Sequence, residues 1–184
     1  MTPPVAAAPA TLPGPVADEV LTSAIDAVKT AILTEMQGYE LYKAAAEQTQ
    51  DPEARRMFHL LAKEEEGHNR MLHEQFKSLM QDKQWKPPPT LAHGEGFESL
   101  VADENWRKSL QFGTMELAVV SLGASLEAKA VAFYQKAAKE TPDPEGRKVF
   151  EWLVGWEEDH LKWMAWLEED LKQRFWADQS FSPM

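Results

Sequence analysis

Apolar residues recur every three or four positions along most of this chain, the period of a helix with one buried face. Ile25, Val28, Ile32, Met36, Tyr39 and Tyr42 mark the first such run, and their spacing predicts a helix over about 22–49. Asp51-Pro52-Glu53 then reads as a helix start. It supplies an N-cap acceptor, a proline at the first helical position and an acid at the positive end of the dipole. The second helix is expected to run to about residue 83, where Lys86-Pro87-Pro88-Pro89 ends it. The stretch to about residue 110 mixes Pro, Gly and charge and is the longest expected connection, with a short helix around 98–101. A third helix is predicted over about 114–140. Asp143-Pro144-Glu145 repeats the start signal, and a fourth helix follows to about 177. No run alternates with period two and no Asn-Gly turn occurs, so strands are not expected. The predicted fold is all-α: two hairpins, about 22–83 and 114–177, joined by one long crossover into a four-helix bundle.

The hairpins are copies of one another. Displaced by 92 residues, the segment 35–68 matches 127–160 at 14 of 34 positions without a gap. Glu35 meets Glu127, Tyr42 meets Tyr134, the two Asp-Pro-Glu turns coincide, and Glu65, Glu66 and His68 meet Glu157, Glu158 and His160. A generic helical bias toward Ala, Leu and Glu would not hold His, Tyr and a capping turn in one register. A pseudo-two-fold axis relating the hairpins is therefore expected.

Composition narrows what such a bundle does. Residues 1–21 form a Pro- and Ala-rich tail whose first 17 positions lack Lys and Arg. Disorder is the expectation there, without a secretory signal and with a cytoplasmic location, and the bundle occupies 22–184. The chain has no cysteine, which removes disulfides, thiolate zinc and iron–sulfur ligation. A net charge of −11 disfavours nucleic acid and anionic membranes but suits cations. The longest uncharged apolar stretch, residues 117–126, is half of what a membrane span needs.

Each second helix of a hairpin carries a Glu-x-x-His, Glu65 with His68 and Glu157 with His160. Three residues apart, carboxylate and imidazole share a helix face and reach one cation. Glu64 stands four residues before His68, but its counterpart is Trp156, and the repeat discards it. Glu66 and Glu158 recur but point away around the helix, toward solvent or a neighbouring helix. On the first helices only Glu35 and Glu127 recur, whereas Glu40 and Glu47 correspond in the repeat to Ala132 and Lys139 and read as surface residues. Glu35 lies 16 residues before Asp51, and Glu65 and His68 lie 14 and 17 after it. In an antiparallel hairpin these come level, at about 1.5 Å per residue. Four carboxylates and two imidazoles thus converge: enough charge for two divalent cations, with oxygen and imidazole donors suited to iron or manganese. The alternative is a set of buried Glu–His ion pairs without metal, a costly one with four acids and two partners.

Two lone glutamates with two Glu-x-x-His motifs resemble the ferritin-like di-iron carboxylate proteins, and over about 22–175 the chain looks most like their rubrerythrin branch. The resemblance implies a non-haem di-iron site. Its ligands would be Glu35 and Glu127 from the first and third helices, with Glu65, His68, Glu157 and His160 from the second and fourth. Rubrerythrins usually carry a further glutamate three residues after the third-helix ligand. That place is Ala130, which leaves an arrangement similar to bacterioferritin. A rubredoxin domain is impossible without cysteine, so an external electron donor is implied.

Tyr42 and Tyr134 follow a ligand glutamate by seven residues on the same face, and each phenol is expected to reach back toward a metal-bound carboxylate. Trp152, Trp156, Trp163 and Trp166 form a stripe read as core or as the interface of a homodimer. His59, His73 and His93 lack the motif and read as surface or outlying residues. The function expected is an oxidoreductase reducing hydrogen peroxide or dioxygen. Ferroxidase or iron-handling chemistry, a manganese catalase-like role and a non-enzymatic metal-binding bundle are the alternatives.

Overall fold

The computed structural model describes residues 18–90, 95–110 and 113–178. Residues 1–17 of the expected disordered tail and His93 lie outside them, whereas residues 18–21, also assigned to the tail, are helical and open the first helix. Among the described residues six helices follow in order: α1 (Asp18–Gln48), α2 (Pro52–Asp82), α3 (Glu95–Ala102), α4 (Glu104–Ser109), α5 (Thr114–Glu140) and α6 (Pro144–Asp178). No strand occurs among the described residues. α1 packs along α2 and α5 along α6, and the two hairpins meet through α1 and α5. This is an all-α, ferritin-like bundle.

Both hairpin turns form by the chemistry their sequence announces. The Asp51 carboxylate accepts from the backbone N–H of Glu53 at 2.7 Å and of Ala54 at 3.1 Å. Asp143 does the same for Glu145 at 2.8 Å and Gly146 at 3.2 Å. Each cap satisfies two amides that no helical carbonyl reaches. Lys83, at φ 54°, turns the chain out of α2 in a left-handed conformation. The Gln75 carboxamide then pins the departing strand of chain: it donates to the Lys86 carbonyl at 3.0 Å and accepts from its N–H at 2.9 Å.

The crossover is more structured than its composition suggests. Where one short helix is expected, two form, and Phe97, Leu100, Val101, Trp106 and Leu110 are buried. α3 rests on α2. The apolar side chains between the charged residues of this stretch cap one end of the bundle core.

The core itself is split. One apolar cluster takes Tyr42, Phe58, Leu61, Val120, Met164 and Leu167, together with the crossover. The other takes Val28, Leu72, Tyr134, Phe150 and Leu153. On every long helix the Glu and His positions of the two motifs fall between the residues of one cluster and those of the other. Each fully buried large side chain contributes about 1.5–3 kcal/mol, and these two apolar layers offset the cost of the polar layer they enclose.

α1 and α5 run antiparallel. Thr49 donates to Glu116 at 2.6 Å, while a Cβ at Gly123 would lie 2.6 Å from the Tyr42 hydroxyl, so rising numbers on one helix meet falling numbers on the other. α5 is the one described helix long and apolar enough to cross a membrane by length and composition. Within the bundle it buries Glu116 and Glu127.

Candidate metal centre

All six motif residues reach one buried layer. Glu35 is 1% exposed, Glu65 2%, His68 2%, Glu127 4%, Glu157 1% and His160 2%. Their donor atoms sort into two overlapping groups, each with all atoms within 4.8 Å of one another. One group is Glu35, Glu65, His68 and Glu157, and the other is Glu65, Glu127, Glu157 and His160. Glu65 and Glu157 belong to both; Glu35 and Glu127 each belong to one. The pseudo-two-fold axis of the sequence repeat thus passes through the site and exchanges the two groups.

Each imidazole presents Nδ1 to the centre. His68 Nδ1 lies 3.1 Å from Glu35, 3.2 Å from Glu157 and 3.7 Å from Glu65. His160 Nδ1 lies 3.3 Å from Glu157 and 3.4 Å from Glu65. Yet several inward atoms make no hydrogen bond: Glu65 Oε1, both carboxylate oxygens of Glu157, and His160 Nδ1. Leaving a buried acceptor unmatched costs about 1–3 kcal/mol, more when charged. Unmatched donors of this kind, converging from α2 and α6 beside the glutamates of α1 and α5, fit cations that would complete them. Two divalent ions would balance four carboxylates, and oxygen with imidazole suits iron or manganese.

Protonation follows from that crowding. Burial, then the charges of Glu157 and Glu65, hold Glu35 well above the usual carboxylate range. Burial, Glu65 and Glu157 do the same to Glu127. Burial opposes ionisation of Glu65 and Glu157 too, but the two imidazoles facing them outweigh it and hold these two carboxyls low. Burial also opposes charge on His68 and His160, and the surrounding carboxylates reverse that and raise both. In the metal-free layer the two imidazoles are thus biased toward their charged form, Glu65 and Glu157 toward carboxylate, and Glu35 and Glu127 toward the protonated carboxyl.

The tyrosines are connected differently from the sequence reading, which aims each phenol back along its own hairpin. Tyr42 donates to Glu127 and Tyr134 donates to Glu35, each across to the other hairpin. Seven residues span about 10 Å of helix axis, beyond a tyrosine's reach to its own helix's glutamate. The antiparallel neighbour places the partner hairpin's carboxylate nearer. Burial, then the partner glutamate's charge, raise both phenols, which stay protonated.

Glu64 corrects the sequence reading further. Discarded because its counterpart is Trp156, it lies with Oε2 at 2.8 Å from His160 Nε2. Its signal was its place four residues before His68, on the same inward side of α2. Glu66 and Glu158 are exposed, and Glu158 accepts from Gln135 at 3.1 Å. Glu40, Glu47, His59 and His73 are exposed as well. The tryptophan stripe divides. Trp152 and Trp156 meet the His68 ring edge-on at 5.7 and 5.0 Å, Trp163 packs partly buried on the core, and Trp166 is 37% exposed under the Arg107 guanidinium.

A cavity of about 260 Å³ reaches the layer between α1 and α5. Glu35, Glu65, Glu127 and Glu157 line it together with Gly38 and Ala130, and so do the exposed Thr30, Gln37 and Lys129. Gly38 and Ala130 are repeat counterparts. A Cβ on Gly38 would come 3.2 Å from the Glu65 carboxyl carbon, and a glutamate at Ala130 would occupy this space.

A bundle of two helical hairpins with paired Glu-x-x-His motifs and two lone glutamates in its core defines the ferritin-like carboxylate class. A sequence model of the rubrerythrin family matches residues 26–168, and the chain belongs to that family. No curated protein matches it, and no solved structure does.

Proposed function

We propose that the buried layer is a carboxylate-bridged di-iron centre that reduces hydrogen peroxide, with dioxygen as a second oxidant. The observation that carries this reading is the pair of overlapping donor groups sharing Glu65 and Glu157. Shared carboxylates hold two metals about 3.5–4 Å apart. Glu35 with His68 would complete one position and Glu127 with His160 the other. Bound as Fe(II), the pair supplies the two electrons that cleavage of an O–O bond consumes.

The chain's own residues supply the rest. The cavity beside Gly38 and Ala130 admits a small oxidant and excludes a bulky one. Reduction of peroxide to two waters takes two protons. Tyr42 and Tyr134 hold phenolic protons against Glu127 and Glu35, and in this reading they donate them. The two apolar clusters keep bulk water from the layer.

Electrons return from an external donor, since the chain has no cysteine for a rubredoxin centre. A homodimer is part of the proposal, supported by exposed Leu33 and Met36 on α1 and Leu122 on α5. A second reading, ferroxidase chemistry in iron handling, is favoured by Ala130. Stopped-flow absorbance of the anaerobic Fe(II)-loaded protein, mixed with each oxidant at equal concentration, separates the two. Faster oxidation by peroxide is expected. Equal rates with dioxygen and growth of a mineral core favour iron handling, and oxidation no faster than free iron overturns both.

A further inference from the structure

We infer that Glu64 is a positioning residue for His160 and makes the two metal positions unequal, with the Glu127–His160 position the tighter. The inference rests on the two-metal reading above but concerns a residue that reading does not use.

Positions 64 and 156 are repeat counterparts, and the structure puts them in equivalent places. Each lies four residues before its own helix's histidine and touches the histidine of the other hairpin. Glu64 meets His160, and Trp156 meets His68. A carboxylate therefore stands behind one imidazole and an indole behind the other. His160 Nε2 lies 2.8 Å from Glu64 and donates to it, so that when metal displaces the Nδ1 proton the Nδ1 lone pair is the one directed at the centre. Glu64 keeps its own contact with water, its side chain being 14% exposed, while the imidazole it holds is 2% exposed. His68 Nε2 is buried and has no hydrogen-bond partner, with Trp152 and Trp156 ring edges against the imidazole. Its ring is held by packing alone on that side.

An acceptor on the distal nitrogen raises the basicity of a ligating imidazole and holds its orientation, and its loss weakens metal binding about 10–100-fold. The remaining ligands of the two positions are equivalent by symmetry: one lone glutamate each and the two shared carboxylates. The difference behind the imidazoles is thus expected to separate the two affinities. Loading then proceeds in order, the His160 position first.

The test is anaerobic titration of the full metal-free chain with Co(II), followed by calorimetry and by visible absorbance of the bound ion. Two steps are expected. His160→Ala should abolish the tighter and His68→Ala the weaker. Glu64→Ala should weaken the step that His160→Ala abolishes by about 10–100-fold and leave the other within about twofold. Glu64→Gln, which retains an acceptor oxygen and the side-chain volume, should lose less. Glu66→Gln, on the exposed face, should change neither step. Circular dichroism checks that helix content is kept, and if Glu64→Ala fails to fold, Glu64→Gln carries the decision. Two equal steps in the unaltered chain, a tighter step lost with His68, or no selective effect of either Glu64 variant overturns the inference while leaving the two-metal reading intact. Absence of any cobalt uptake overturns both.

Discussion

The Tyr134 hydroxyl, on α5, donates to the Glu35 carboxylate on α1, and Tyr42 repays the contact to Glu127 in the opposite direction. Each hairpin thereby holds the lone glutamate of the other. The two halves of the centre are clasped across the α1–α5 contact and by the shared carboxylates from α2 and α6.

Replacing either phenol by Phe should leave a buried carboxylate oxygen without its donor. A cost of about 1–3 kcal/mol in the metal-free protein is expected, as for a buried acceptor left unsatisfied. Chemical denaturation measures it. In the Fe(II)-loaded protein, Tyr42→Phe with Tyr134→Phe should slow peroxide oxidation by about a hundredfold, the low end for a general acid. Iron per chain should be nearly unchanged. Unaltered rates would remove the phenols from proton delivery.

Metal stoichiometry should follow the two donor groups. Glu157→Gln or Glu65→Gln touches both positions and should lower iron binding at both. Glu35→Gln should affect one. His68→Ala and His160→Ala should lose metal where His59→Ala and His73→Ala do not. Elemental analysis of the purified variants decides. Saturating metal should also raise the melting temperature, since a ligand at a hundred times its Kd adds about 2.7 kcal/mol. Identical melting with and without metal would count against a preformed site.

Protonation gives the direction of the pH dependence. His68 and His160 have raised values, so as folded groups they bind protons more tightly than when unfolded. Their contribution to metal-free stability is complete below about pH 6.5 and is lost as pH rises through their folded values. Glu35 and Glu127, also raised, act in the same sense. Glu65 and Glu157, lowered, contribute stability that is lost as acid protonates them. Metal must displace the protons that the imidazoles and the raised carboxyls of Glu35 and Glu127 hold. Loading should therefore release protons, and affinity should rise with pH. Calorimetry in buffers of different ionisation enthalpy counts them. No net release would contradict the protonation pattern of the layer.

Gly123→Ala tests the seating of Tyr42. The added Cβ would lie 2.6 Å from the phenol oxygen and 2.9 Å from Met164 Sδ, so the ring must move off Glu127. A loss of about 1–3 kcal/mol is expected for overpacking at a filled site. The oxidation rate should fall with it, as in Tyr42→Phe. Gly67→Ala, with open space beside its Cβ, should be neutral or slightly stabilising through helix propensity.

The sequence by itself determined the four long helices, the Asp-Pro-Glu capping turns, the pairing into hairpins and the six residues that meet in the core. All of these depend on spacing along one chain: a period of 3.6, an Asp-Pro start, a repeat that doubles each motif, and an equal rise on two antiparallel helices. The identity of Tyr42's and Tyr134's partners was decided only by the tertiary structure. It depends on the direction and lateral distance of α1 and α5, which no single-helix period encodes. The role of Glu64 was hidden for a different reason. Recurrence identifies residues that play the same part in both halves, and Glu64 and Trp156 occupy one place with different chemistry. Which imidazole receives a carboxylate and which an indole is a difference between the halves, and packing of α2 against α6 is where that difference acquires a physical consequence.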